Sequence, residues 1–267
     1  MRSHDRSIRA TVAVAAMLVA ASFAATAGPV SAANPGVRPP SSHPYGHSYD
    51  EWGDRWWQWV DGIPQSANPM VDPTGASCGL GQSGQVWFLA GSPGGSYDRA
   101  CTVPVGKGIF FPVANFQEDQ REVVPDYAFF SSEGCADVFG AAFCADAVAA
   151  LTPDPTAPSS LRDFINLVLD SFVDPGAKFA RLDGVAITNL ADYRSSSGAG
   201  GYAIHLPDTD VAFDNYHSIF GYAFDGPDDY LGAQAGCYLM LSPLSPGAHL
   251  LEFGEPGWTI TYHLTVQ

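Results

Sequence analysis

The sequence predicts a mainly β protein, an antiparallel β-sandwich of the jelly-roll type that carries helical insertions. Glycine (28 residues) and proline (21 residues) make up about 18% of the 267 residues, which is too many turn formers for a helical bundle. Short apolar runs bounded by Gly and Pro recur along the chain, a pattern typical of buried strands. Strict apolar and polar alternation at residues 258–266 adds a half-buried strand, so we expect many short strands around one core.

The N-terminal segment predicts a secretory signal peptide over residues 1–33. Three arginines precede an apolar stretch, and small residues follow it. This layout predicts cleavage after Ala32 or Ala33. A membrane anchor is the alternative interpretation, but the apolar run is at the short limit for crossing a bilayer. We therefore expect a secreted, extracellular protein with no membrane span after the signal is cleaved.

The chain after the signal divides into a leader and one domain. Residues 34–47 are rich in Pro, Ser and His, and we expect them to form a flexible leader. Residues 48–267 have the length of a single β-sandwich domain.

Two helices are predicted within the domain. Ser48 and Glu51 have the spacing of a capping box, which predicts a helix near residues 49–61. A second helix is predicted near residues 160–173, because apolar residues recur there at helical spacing before Pro175.

The remaining elements follow from apolar runs and their flanking turns. Residues 133–176 predict a helical insertion, and residues 116–126 predict an acidic loop. Strands are predicted at residues 86–90, 109–113, 127–130, 179–187, 202–206, 219–224, 237–241, 249–253 and 258–266.

All five cysteines lie after the predicted signal peptide, and an oxidising compartment makes their pairing the default. Sequence proximity favours the disulfides Cys78–Cys101 and Cys135–Cys144 among the possible arrangements. Cys237 is then the odd thiol, in a strand-like run where a buried cysteine behaves as a small hydrophobe.

Aromatic residues on the first helix suggest a ligand-binding surface. Trp52, Trp56 and Trp59 share one face, which is the pattern of a stripe packed on the core. Trp57 points elsewhere and is the better candidate for stacking on a ligand. Tyr127, beside the predicted acidic loop, is a second stacking candidate.

Carboxylates are the most abundant reactive groups in the chain. Glu118 and Glu122 are candidate catalytic residues, because glycoside hydrolysis needs two carboxylates that face each other across a sugar. The alternative is that both belong to an acidic, solvated loop. Nucleophile-elbow, phosphate-loop, zinc-protease and dinucleotide motifs are not present in the sequence.

A second group of acidic residues suggests a metal ligand set. Asp208, Asp210 and Asp214 offer oxygen ligands at short spacing, which suits Ca²⁺ in an exported acidic protein. The group does not match a helix-loop-helix calcium motif, and a solvated turn is the alternative interpretation. We otherwise expect no cofactor.

Several short motifs stand out at residues 50–115 and 236–267. They are Trp56-Trp57-Gln58-Trp59, Gly81-Gln82 followed by Val86-Trp87-Phe88-Leu89-Ala90-Gly91, Cys101-Thr102-Val103-Pro104 followed by Gly106-Lys107 and Phe110-Phe111-Pro112, and Pro246-Gly247-Ala248-His249. Together with the terminal strand, these motifs resemble an uncharacterised group of bacterial exported proteins. The resemblance implies export and supports the pairing of Cys78 with Cys101. It implies no established activity, and it transfers no catalytic residue.

The charge balance limits the partners. Twelve basic residues against 28 acidic ones give a formal net charge of −16, which argues against nucleic acid and anionic membrane surfaces. Our leading hypothesis is an extracellular binding or surface-interaction protein whose partner is a polysaccharide. The alternatives are an extracellular glycoside-type hydrolase with paired carboxylates and a structural protein of the cell envelope.

Overall fold

The computed structural model describes residues 34, 36–207, 210 and 229–267, and of residue 229 only the backbone. The predicted signal peptide and the predicted strand at residues 219–224 lie outside this range. Within it, the protein is rich in strands, which form two mixed sheets accompanied by five α-helices. No helix in the described segments is long and apolar enough to cross a membrane.

The first sheet is built around two long strands. Its members are β1 (Val86–Phe88), β3 (Gly108–Asp119), β6 (Arg194–Ser196), β7 (Tyr202–His205) and β8 (Asp229–Leu241). The strand order is β1-β3-β8-β6, and β7 pairs with a different part of β8.

The second sheet contains the terminal hairpin. Its members are β2 (Tyr97–Val103), β4 (Phe179–Leu182), β5 (Val185–Ile187), β9 (Gly247–Glu255) and β10 (Trp258–Val266). The order is β2-β10-β9-β4-β5, so β10 has a neighbour on both sides. Phe111 of β3 contacts Phe253 of β9 with ring centroids 4.7 Å apart, and one apolar core contains buried residues from both sheets.

Helix α1 (Tyr49–Asp61) packs on the first sheet. Its N-terminus has the expected capping box, because Glu51 N donates to Ser48 Oγ at 3.2 Å and Ser48 N donates to Glu51 Oε2 at 2.8 Å. Trp52, Trp56 and Trp59 are all buried, so this stripe packs on the core.

Four further helices cover another part of the first sheet. They form a second apolar cluster that includes Ala233 and Ala235 of β8. Their bounds are α2 (Val123–Phe130), α3 (Glu133–Phe139), α4 (Ala141–Ala150) and α5 (Pro158–Phe172). Short 3-10 helices occur at Pro40–Ser42, Pro44–Gly46, Gln65–Ala67 and Leu190–Tyr193.

The cysteines form two pairs. The sulfur atoms of Cys78 and Cys101 lie 2.11 Å apart, and those of Cys135 and Cys144 lie 1.86 Å apart. These are the pairs that sequence proximity favours. Cys237 is a free and buried thiol, whose Sγ lies 2.9 Å from the carbonyl oxygen of Leu190.

Part of the predicted leader contacts the first sheet. Val37 is buried and forms an isolated bridge with Leu241 of β8. Arg38 N donates to Met240 O at 2.8 Å. These backbone contacts cover the end of the β8 edge at residues 240–241, beyond the part of that edge that pairs with β6.

Three sequence predictions are corrected by the structure. The sheets are mixed rather than purely antiparallel, because β1 pairs with β3 and β2 pairs with β10 in parallel. Residues 127–130 form the end of α2 instead of a strand, since their aromatic side chains pack into the helical cluster. Residues 116–119 continue β3 instead of beginning a loop, because they pair with β8.

Candidate functional site

A cleft with a volume of about 430 Å³ borders β3. Its lining includes the stretch of β3 from Pro112 to Gln117, together with Gly254, Glu255 and Trp258 of the β9–β10 hairpin. Pockets of this size that combine apolar walls with a few polar groups are the usual form of small-ligand sites.

Trp57 lines this cleft from α1. Like the tryptophans of the stripe, it belongs to the main buried core, and Trp57 Nε1 donates to Tyr238 Oη of β8 at 3.2 Å. The residue is only 8% exposed. The ring is therefore a fixed part of the cleft, held by a polar partner behind it.

A chain of hydrogen bonds continues from Trp57 into the protein. Tyr238 Oη donates to Gln234 Oε1 at 2.7 Å, and Gln234 Nε2 donates to Asp54 Oδ1 at 3.2 Å. Ser197 Oγ donates to the same Asp54 oxygen at 2.6 Å. Burial raises the pKa of Asp54 to about 6, and these hydrogen bonds oppose that rise. The network connects α1 to β8 beneath the cleft.

Two exposed aromatic residues lie at the cleft. Trp258 begins β10 and is 38% exposed, and Phe172 ends α5 and is 53% exposed. The alternation of the terminal strand places Trp258 on the buried face with Ile260 and Tyr262. At the first position of the strand, beside the hairpin turn, the indole instead remains accessible.

Polar groups converge on the same cleft. Asn115 and Gln117 of β3 are half-buried lining residues. Glu122 lines the cleft and is 8% exposed. Lys178 Nζ and Glu255 Oε2 form an ion pair of 2.6 Å in its wall. Amides, a carboxylate and aromatic rings therefore surround one volume.

The two candidate catalytic glutamates occupy different environments. Glu118 lies directly opposite Ala233 of β8, so its side chain faces the helical cluster and not the cleft. Burial raises the pKa of Glu118 well above its usual range, and repulsion from Asp126, Glu122 and Asp119 adds to the shift. Among the described residues, no group donates a hydrogen bond to Glu118 Oε1. The two glutamates therefore lie close together, but of the two only Glu122 lines the cleft.

The carboxylate of Asp119 organises the segment that carries Glu122. It accepts hydrogen bonds from the backbone N of Arg121 at 2.7 Å and from the backbone N of Glu122 at 3.1 Å. Its other oxygen accepts from Arg121 Nε and Nη2. The sequence interpretation of this segment as a solvated loop missed this buried turn, although Asp is a common turn former because its side chain accepts from the backbone N–H two residues on.

The other predicted site residues lie elsewhere. Tyr127 is on α2, packs against the helical cluster and is not among the described lining residues of the cleft. Asp208 and Asp214 lie outside the described residues. Asp210 accepts a hydrogen bond from Ser66 N at 2.9 Å. In the described part of the chain, no three His, Cys, Asp or Glu side chains are grouped to hold a metal ion.

Comparison with known proteins adds no relative. The chain matches no family model, no curated protein and no solved structure.

Proposed function

We propose that the protein is a secreted carbohydrate-binding protein whose ligand occupies the cleft between Trp57 and Trp258. The observation that carries this proposal is the convergence of aromatic rings and amide or carboxylate groups on one volume. Sugar rings present apolar C–H faces that pack on aromatic side chains, and hydroxyl groups that bond to amides and carboxylates.

Export is part of the proposal. The basic, apolar and small-residue layout of the first 33 residues supports a cleaved signal peptide. Two cysteine pairs at disulfide distance support an oxidising compartment. We also infer that the two sheets pack face to face as a sandwich, supported by the contact of Phe111 with Phe253.

The test is binding of neutral oligosaccharides to the purified protein. A ligand of the native state raises the thermal midpoint, and calorimetry then gives the affinity. Trp258→Ala is expected to weaken binding about tenfold, because it removes a stacking surface. Trp87→Ala is the matched control, since Trp87 is a partly exposed indole that is not among the described lining residues.

Two results would contradict the proposal. One is equal loss of affinity in both tryptophan variants while both remain folded. The other is no binding to any oligosaccharide together with tight retention on purified cell wall that every sugar competitor leaves intact. The second result supports a structural protein of the cell envelope.

A glycoside hydrolase is the second candidate function. It is favoured by the raised pKa of Glu118 beside a second carboxyl group, that of Glu122, because the general acid of a glycoside hydrolase is a carboxyl group with a raised pKa. Binding remains the better supported function, since Glu118 faces the helical cluster. Loss of turnover in both Glu118→Gln and Glu122→Gln, with folding retained, supports the hydrolase. Unchanged ligand retention without turnover supports the binding protein.

A further inference from the structure

The strand β3 has one open edge, and this edge borders the cleft. On that side, β1 pairs only with Gly108, Ile109 and Phe110. Beyond Phe110, β3 continues to Asp119 with β8 as its only strand neighbour among the described residues. The cleft runs along this open stretch.

The register shows which peptide groups point to the open side. Gly108 N donates to Gln85 O, and Leu89 N donates to Phe110 O. At the start of β3, the peptide N–H and C=O groups of the even-numbered residues therefore point toward β1. A bulge between Pro112 and Ala114 then reverses this parity.

The pairing of β8 shows independently which peptide groups of β3 point to its open edge. Ser197 N donates to Gln234 O, so the peptide groups of Gln234 point toward β6. Gln117 is the register partner of Gln234 on β3. When two opposite residues of an antiparallel pair do not bond each other, the peptide groups of both point away from the partner strand. The N–H and C=O groups of Gln117, and by the same parity those of Asn115, therefore point away from β8.

These outward peptide groups have no partner in the described part of the chain. No described backbone or side-chain group forms a hydrogen bond with the backbone N or O of Asn115 or Gln117. A half-buried strand edge of this kind favours a partner that offers both a donor and an acceptor. Pro112, also on the outward side, has no N–H, so donors are available only beyond it.

We propose that the ligand carries an acetamido group, as in an N-acetylated amino sugar, and that this group bonds to the edge of β3 at Asn115 and Gln117. This proposal rests on the proposed function. An acetamido group has one N–H and one C=O, like a peptide unit, and therefore matches a strand edge. A hydroxyl group in its place supplies neither the planar spacing nor the carbonyl acceptor.

The charges of the cleft fit a neutral ligand of this class. Its described titratable lining groups are Glu122 and the Lys178–Glu255 ion pair. The whole chain has a formal net charge of −16, which disfavours acidic sugars. An extended peptide also matches a strand edge, but only two outward residues are accessible between Pro112 and the buried Asp119. This short stretch favours a single amide group over a paired strand.

The test compares two neutral tetrasaccharides by calorimetry with the unmodified protein. One is built from N-acetylglucosamine and the other from glucose, with the same linkage, so they differ in the acetamido group. We expect the N-acetylated ligand to bind about tenfold more tightly, the effect of one or two additional hydrogen bonds. This comparison needs no variant.

A pair of variants locates the effect. Asn115→Pro removes the outward N–H without breaking a bond to β8, and Asn115→Ala removes the side chain but keeps the N–H. We expect Asn115→Pro to lose the preference for the N-acetylated ligand and Asn115→Ala to keep it. Circular dichroism and the thermal midpoint report whether each variant is folded.

The outcomes separate the two proposals. Equal affinity for both tetrasaccharides overturns the acetamido inference and leaves carbohydrate binding intact. No affinity for either overturns both. Preference for a blocked tetrapeptide over both sugars, or a folded Asn115→Pro variant that keeps the sugar preference, overturns the assignment of the β3 edge.

Discussion

Arg99 Nη1 donates a hydrogen bond to Tyr262 Oη at 2.9 Å, and the two residues are 163 positions apart in the chain. Both side chains are almost completely buried. Tyr262 Oη also contacts the backbone N and O of Ala90 at 3.1 and 3.0 Å. Nη1 also donates to the carbonyl oxygens of residues 90 and 91, while Nε and Nη2 donate to those of residues 72 and 70. Since Met70 and Gly91 line the cleft, this one cation holds both a strand pair and part of the cleft wall.

Removal of the Arg99 guanidinium is expected to be strongly destabilising. Arg99→Met leaves several buried carbonyl groups without donors, each at a cost of about 1–3 kcal/mol, so we expect a loss of about 3 kcal/mol or more in the free energy of unfolding. Arg99→Lys does not restore it, because an ammonium group lacks the planar fork. Urea denaturation measures both. Arg55→Met, at an exposed arginine, serves as the control, and equal losses in all three variants would refute the role of the buried network.

Asp54 is expected to make stability depend on pH. Burial raises its pKa in the folded state to about 6, from the ordinary value of 3.8. The folded state therefore holds the proton more strongly, and the stability from this group is present at low pH and lost as pH rises to about 6. Asp54→Asn has no titrating group at this position and removes this loss. The free energy of unfolding of the variant minus that of the unmodified protein should therefore increase by up to about 3 kcal/mol between pH 4 and 7. A difference that stays constant with pH would contradict the shift.

Cys237 is expected to be the single free thiol, inaccessible in the folded state. Burial raises its pKa to about 12, which suppresses the reactive thiolate. Thiol titration should give no reaction in the native protein and one thiol per chain in denaturant without reductant. Five thiols in denaturant would show that the two pairs are not disulfides, and one reactive thiol in the native protein would show that Cys237 is exposed.

Gly254 and Gly247 provide a matched test of a close contact. Both have φ +134, but a Cβ at Gly254 would lie 2.2 Å from Trp258 O, whereas a Cβ at Gly247 would meet nothing within 4 Å. Both Gly→Ala variants incur backbone strain of about 1–3 kcal/mol. Gly254→Ala should lose more stability, because it also separates β9 from β10 beside the cleft. Equal thermal midpoints for the two variants would exclude this contact.

The sequence predicts the positions of helices and strands better than it predicts which strands pair with each other. The capping box at Ser48 and the stripe in α5 are local signals, and the helices lie where these signals place them. β2 has no such signal, because Arg99 occupies a buried position in the middle of it and interrupts the apolar pattern. Parallel pairing with β10 is likewise invisible, since it joins residues far apart in the chain.

In the candidate site, too, side-chain patterns predict only part of what the structure contains. The helical spacing separates Trp57 from the stripe of Trp52, Trp56 and Trp59, but it does not predict that Trp57 is as buried as Trp59. Asn115 and Gln117 lie in a stretch beyond the predicted strand at residues 109–113, and their outward peptide groups depend on a bulge that side-chain patterns do not encode. Trp258 shares the parity of buried residues, and only the end of the sheet explains its exposure.

The position of β10 between β2 and β9 also sets an order of folding. β9 and β10 are joined by a short turn and can pair at once, whereas β2 lies on the other side of β10 and precedes it by most of the chain. Until β10 is available, β2 therefore has an unpaired edge, and Arg99 has no contact with Tyr262. Closing so long a loop is slow. The second sheet is therefore completed only when β10 pairs with β2, and until then the edge of β2 is open to pairing with another chain.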